Sequence, residues 1–176
     1  MQLLIKIVSV ALILLHTSNA GDICAYTTDG CGGLAGCCNH FASGECCAFA
    51  SGYGLSAHWF NIDRSANPNL EAYIYSSTTC GNYLNQIGNV GASGITTCYN
   101  LWGKVAHSGD WWTSRLDRRL SRRESDCKEF DSIGFRDSNG TFHEFKVPNG
   151  KGFRDIEKLV KEEEFEQVFA LERVRR

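Results

Sequence analysis

Proline is scarce in this chain, long apolar runs are short, and neither sign of charge dominates. With two prolines and 18 glycines in no regular period among 176 residues, a collagen-like repeat is excluded. The 18 Lys plus Arg nearly balance 20 Asp plus Glu, so the bulk electrostatic attraction that supports nucleic-acid binding is missing. The apolar stretch Ile7 to Leu15 falls well below the roughly 20 residues that cross a bilayer, and no later segment reaches that length. Hydrolase signatures are missing as well. No zinc-protease helix motif occurs, and neither Ser56 beside His58 nor Ser93 between Ala92 and Gly94 fits a nucleophile elbow. At 43% hydrophobic and 22% charged, the composition is that of a globular chain rather than a disordered one.

What the chain has begins at its N-terminus. Lys6, the apolar run to Leu15 and the small-residue ending at Ala20 read as a secretory signal peptide over residues 1–20. Secretion places the nine cysteines in an oxidising compartment, where disulfides are the expected state. Cys24, Cys31, Cys37, Cys38, Cys46, Cys47, Cys80 and Cys98 form the expected framework, and Cys127 is the odd one. Neighbouring Cα atoms lie about 3.8 Å apart, short of the roughly 4.4 Å that a bridge needs, so Cys37 and Cys38 require different partners, as do Cys46 and Cys47. The full connectivity stays open. The odd count leaves two options: Cys127 is a thiol or an intermolecular link, or it bridges back and leaves another cysteine out. A zinc site from Cys37-Cys38, Cys46-Cys47 and His40 has suitable ligand types, but doublets are not the spaced pairs of metal knuckles. No metal and no cofactor are expected.

Composition shifts after Trp112. Residues 21–112 hold 14 of the glycines, eight of the cysteines and only two basic side chains, Arg64 and Lys104, whereas residues 113–176 hold 15 bases and 14 acids. The chain reads as a Gly/Cys-rich module over 21–112, an Arg-rich linker over 113–126 and a small charged module over 127–176. Short β-branched and aromatic runs, Ala72 to Tyr75 and Gly94 to Tyr99, predict antiparallel strands in the first module. So small a core needs covalent help, which suggests a disulfide-rich β sandwich or barrel. In the second, Asp131 to Arg136 and Thr141 to Val147 flank Asn139-Gly140 and predict a hairpin, with Phe135, Phe142 or Phe145, and Val147 buried. Ile156, Leu159 and Val160 predict a helix over Asp155 to Glu164. Phe165 to Val174 reads as a continued helix or a third strand, and the expected unit is β-β-α-β. The fold class is mainly β, followed by this small α+β unit.

Arg118-Arg119 and Arg122-Arg123 form two dibasic pairs in the linker. A solvated basic connector is the plainer reading, and cutting by a subtilisin-like processing protease after Arg119 or Arg123 is the alternative. Asn139-Gly140-Thr141 is a glycosylation acceptor at the expected hairpin tip. Trp59, Trp102, Trp111 and Trp112 are a heavy aromatic load that in the main fills a thin core. Trp111 and Trp112 are the candidates for a binding surface, because neighbours on a strand face opposite ways. Asp22, Asp29, Glu45, Asp63, Glu71 and Asp110 could supply two carboxylates to a glycosidase, though any small domain has as many. No catalytic residues are assigned.

The signal peptide, the cysteine spacing from Cys24 to Cys98 and the context Gly30-Cys31-Gly32-Gly33 resemble the small secreted cysteine-rich proteins of filamentous fungi, which include effector-like and toxin-like proteins. The consecutive doublets depart from the hydrophobin order of single, double, single, single, double, single. The resemblance implies an extracellular, non-enzymatic binding or effector-like protein, acting on an extracellular protein or a cell-wall glycan, with no transmembrane segment after signal removal. The alternatives are a toxin or antimicrobial protein processed at the Arg-Arg linker, and a polysaccharide-binding module or hydrolase.

Overall fold

The computed structural model describes residues 20–62, 70–87, 98–113, 127–136, 140–147 and 152–162. Within them run β1 (Ala20–Tyr26), β2 (Leu34–Ala42), β3 (Cys47–Ala48), β4 (Ser56–Phe60), β5 (Glu71–Tyr75), β6 (Tyr83–Ile87), β7 (Tyr99–Asn100), β8 (Ser108–Trp112), β9 (Ser132–Arg136), β10 (Phe142–Lys146) and one helix, α1 (Phe153–Lys161). The strands form two antiparallel sheets, ordered β10-β9-β2-β1-β4-β7 and β3-β8-β5-β6. Neither closes on itself, so of the two expected architectures the chain takes the sandwich. Among the described residues no helix is long and apolar enough to cross a membrane.

The pleat decides what each strand buries, because successive side chains point to opposite faces. On β1 and β4, Ile23, Ala25, Ala57 and Trp59 turn inward and meet Ala72, Ile74 and Trp111 of the second sheet in one core. Cys24 and Tyr26 face the other way and join Cys31, Ala35 and Cys37 in a smaller outer cluster. A second outer cluster, Tyr73, Tyr75 and Trp112, covers the far face of the other sheet.

The hairpin forms as expected, with register pairs from Arg136↔Phe142 to Ser132↔Lys146. Residues 137–141 connect its strands, and Gly140 takes a φ of +81°. Its buried side chains are Ile133 and Phe145, with Phe135 and Val147 half-buried beside them. Ile133, two residues before Phe135 and so on the same face of β9, is fully buried in one cluster with Phe145, Ile156 and Val160. The helix starts two residues early, at Phe153, where the Asp155 carboxylate accepts the Gly152 N–H at 3.3 Å. Ile156 and Val160 are buried and pack on Ile133 and Phe145. Phe165 to Val174 lies outside the described residues.

The hairpin is bonded into the first sheet, since β9 pairs antiparallel with β2 from Leu34↔Phe135 to Cys37↔Ser132. The segment before it docks as tightly. The Lys128 N–H donates to the Cys46 carbonyl at 2.7 Å, the Lys128 carbonyl accepts the Ala48 N–H at 2.8 Å, and the Asp131 N–H donates to the Cys37 carbonyl at 2.9 Å. Phe130 inserts beside Phe49, Tyr53 and Phe153, at ring separations of 5.8, 5.4 and 5.1 Å. Gly36 is required beneath it, because a Cβ there would stand 2.2 Å from the Phe130 ring.

Phe130 therefore couples the hairpin to the sandwich core. Phe130→Ala is expected to cost about 3–5 kcal/mol while leaving unfolding a single transition. Urea melts followed by tryptophan fluorescence and by far-UV circular dichroism should coincide; separate midpoints would show that the two parts unfold independently.

Candidate functional site

Cysteine placement follows from the pleat. Cys37 lies on the outer face of β2 and bridges to Cys24 on β1, whereas Cys38 points inward and crosses to Cys47 on β3. Cys31 bridges to Cys98. The zinc alternative is thereby removed, because three of its four sulfurs sit in these bridges. The remaining three sulfurs converge: those of Cys46, Cys80 and Cys127 lie within 4.8 Å of one another, which puts both Cys80 and Cys127 within bridging reach of Cys46. Cys127, the odd cysteine, turns back to the first eight and meets Cys46 beside Cys80.

Beside these sulfurs opens a cavity of about 830 Å³, walled by Phe49, Phe130 and Phe153, with Thr78, Thr79, Glu129, Arg154 and Cys127 at its edge. The wall behind it holds a buried carboxylate. Glu157 pairs with Arg154 at 2.6 Å and Lys161 at 2.8 Å, and accepts the Tyr53 hydroxyl. Burial pushes its carboxyl up, but hydrogen bonds from Lys161 and Arg154 outweigh that and hold it below the ordinary value. Tyr53 is pushed up, first by burial and then by the Glu157 charge. These groups serve architecture, since each is paired.

The tryptophan pair is a correction. Trp111 and Trp112 do face opposite ways, but Trp111 is fully buried between the sheets and Trp112 lies at 7% exposure against Tyr73 and Tyr75. Alternation on a strand with one solvated face puts one indole in and one out, whereas β8 is an inner strand of a sheet covered on both sides. The exposed tryptophan is Trp102, at 83%. It occupies a turn closed by Lys104 N–H to the Leu101 carbonyl at 3.1 Å. Trp102 and Gly103 have φ of +50° and +83°, the sign pattern of a type I′ turn. Leu101 donates to the Leu55 carbonyl and Ala106 to that of Gly54, so the turn is fixed at both ends. Its sequence signal is an aromatic residue immediately before a turn glycine.

Other candidates resolve into structural roles. Ser56 is fully buried, donating to the Thr28 carbonyl at 2.6 Å and accepting the Cys31 N–H at 2.9 Å. Asp22 accepts the His40 N–H and an Asn61 amide hydrogen. Glu71 and Asp110 share the outer face of the second sheet, and each accepts a tyrosine hydroxyl, from Tyr73 and Tyr75 respectively. Arg118, Arg119, Arg122, Arg123, Asn139 and Ser93 lie outside the described residues, as does the expected signal peptide before Ala20.

His58 yields a pH prediction. Burial, and then the Arg136 charge, lower its pKa, so the folded state resists protonation more than the unfolded chain. The stability it contributes is full above the unfolded value of about 6.5 and is lost as pH falls below it. Urea midpoints of the wild type should fall as pH drops from 7 toward 5, and His58→Gln should flatten that slope. An unchanged slope would remove His58 as its source.

A family model described as ARB_05566_N, N-terminal domain, matches residues 22–131. The matched span starts inside β1, takes in all nine cysteines and the Trp102 turn, and ends just before β9. No curated protein and no solved structure matches the chain. With well over half of its residues inside the match, the chain belongs to the ARB_05566_N N-terminal domain family.

Proposed function

We propose that this is a secreted, non-enzymatic binding protein that holds a cell-wall glycan against Trp102. Secretion is supported by the leader-like sequence of residues 1–20 and by a fold stapled with disulfides, which persist in oxidising compartments. The observation that carries the reading is the exposed indole at a positive φ. A bulky side chain in the left-handed region is uncommon and unfavourable, and strain of this kind concentrates where a protein contacts its ligand. The choice of a sugar follows from area. A protein interface needs about 800 Å² on each side with an apolar centre, whereas the large apolar side chains exposed among the described residues are Tyr83, Trp102 and Val105. One flat, rigidly mounted ring suits stacking on a pyranose face.

Trp59, Trp111 and Trp112 are buried, so acrylamide quenching of fluorescence reports on Trp102. Soluble chitin and β-glucan oligosaccharides are the probes, and one of them should protect this fluorescence. Trp102→Asn should weaken that binding at least about tenfold while raising stability by about 0.5–1 kcal/mol, because asparagine tolerates the left-handed region. Absence of protection by every oligosaccharide, or unaltered binding by the variant, would overturn the reading.

Proteolytic processing at the Arg-Arg linker is a second proposal, favoured by the pairing of Cys127 with Cys46, which would hold the two products together. Intact mass before and after reduction tests it. Two fragments divided near Arg119 or Arg123 are expected on reduction, and one undivided chain would sink it.

A further inference from the structure

We propose that the cavity beside Phe130 is a binding site for a small organic cation, one that carries its charge on an apolar body. Size and walls select the apolar body. At about 830 Å³ the cavity falls within the roughly 300–1,000 Å³ of small-molecule sites, and Ala48, Phe49, Ala50, Phe130 and Phe153 line it. These walls are set before any ligand arrives. The Phe130 ring lies 5.8 Å from Phe49 and 5.1 Å from Phe153, so the three aromatic walls form one packed unit with little freedom left to lose on binding.

Charge selects the cation. Three features of the lining carry charge: the Arg154 guanidinium, the positive end of α1 at Gly152, and Glu129. The first two are answered within the fold. Arg154 donates to Glu157 at 2.6 Å and to the Ser51 carbonyl at 2.7 Å, and the Asp155 carboxylate accepts the Gly152 N–H at 3.3 Å. The adjacent Lys128 is paired with Asp131 at 2.7 Å. Among the described residues no cation answers Glu129, which is exposed. The cavity thus presents one unanswered negative charge beside aromatic rings, and both attract the same kind of ligand. A carboxylate pairs with an ammonium group, and aromatic rings draw a cation through their quadrupole. An anion is repelled by Glu129, and a neutral apolar molecule leaves it unused.

The cavity also joins two parts of the chain. Phe49, Thr78, Thr79 and Glu129 belong to the span that the family model matches, whereas Gly152 to Arg154 begin the helix beyond it. A ligand seated here touches both. It should therefore slow local opening at the start of α1 as well as around Phe130.

The test uses the full secreted chain and three probes of similar shape: phenethylammonium, 2-phenylethanol and phenylacetate. In calorimetric titrations at pH 7 and low salt, phenethylammonium should bind about threefold to tenfold more tightly than 2-phenylethanol, the scale of a partly exposed charge beside aromatic rings. Phenylacetate should bind least. Raising the salt to about 0.5 M should narrow the gap. Phenethylammonium should slow amide hydrogen exchange at residues 128–130 and 153–154. Glu129→Gln, a change at an exposed side chain, should bring phenethylammonium down to the level of 2-phenylethanol and leave 2-phenylethanol unchanged. The proposal is overturned if phenethylammonium does not bind, if phenylacetate binds as well or better, if the charge preference survives in Glu129→Gln, or if protection is confined to other parts of the chain such as the Trp102 turn.

Discussion

The alternation of a pleated strand, applied to two adjacent cysteines, sets the rest of this fold. Because Cys37 and Cys38 must face opposite ways, one bond can tie β1 to β2 on the outer face while the next crosses to the second sheet. The crossing bond, Cys38–Cys47, fixes the separation of the sheets at the point where Phe49, Phe130 and Ile23 pack. A sandwich this small buries too little apolar surface to be secure by packing alone, and the covalent staple restricts the unfolded chain instead. The consecutive doublets are thus an instruction about layers.

From that staple the chain builds outward in both directions. Lys128 and Asp131 bond to the backbone of the two doublets, at the Cys46 and Cys37 carbonyls. That contact delivers Phe130 into the core and positions β9 against β2. The helix then covers the hairpin through Ile156 and Val160, and its buried Glu157 is neutralised by Arg154 and Lys161 from its own exposed flanks. Paired in this way, the carboxylate costs little despite its burial. The charged half of the sequence is bonded to the doublets, although its composition sets it apart.

Local signals were legible where one element specifies itself. The hairpin flanking Asn139-Gly140, the strand at Ala72 to Tyr75 and the helix around Ile156 all show in the sequence, because turn chemistry and periodicity act over a few residues. Different partners within each cysteine doublet follow from Cα spacing alone. What escaped depends on the other sheet. Trp112 lies on the side of β8 that would face water in a sandwich exposed on one side, and it is covered by tyrosines that no local pattern announces. The partner of Cys127 is set by contacts across 81 residues, and the exposure of Trp102 depends on how Leu55 and Gly54 anchor its turn.

The left-handed residues sort the chain's strain by its cause. Cys31, His40, Asn61, Cys80 and Trp102 all take positive φ, a conformation that costs most for side chains other than Gly, Asn and Asp. Four of them have a visible compensation within the fold. Asp22 grips His40 and Asn61, Cys31 is bridged to Cys98 and bonded to Ser56, and Cys80 is held by Ser108 beside Cys46. At Trp102 the backbone is held but the indole is in solvent, so its contacts within the fold offset little of that cost. Folding alone would favour Gly or Asn at that position, and the presence of the largest side chain there points to a requirement outside the fold.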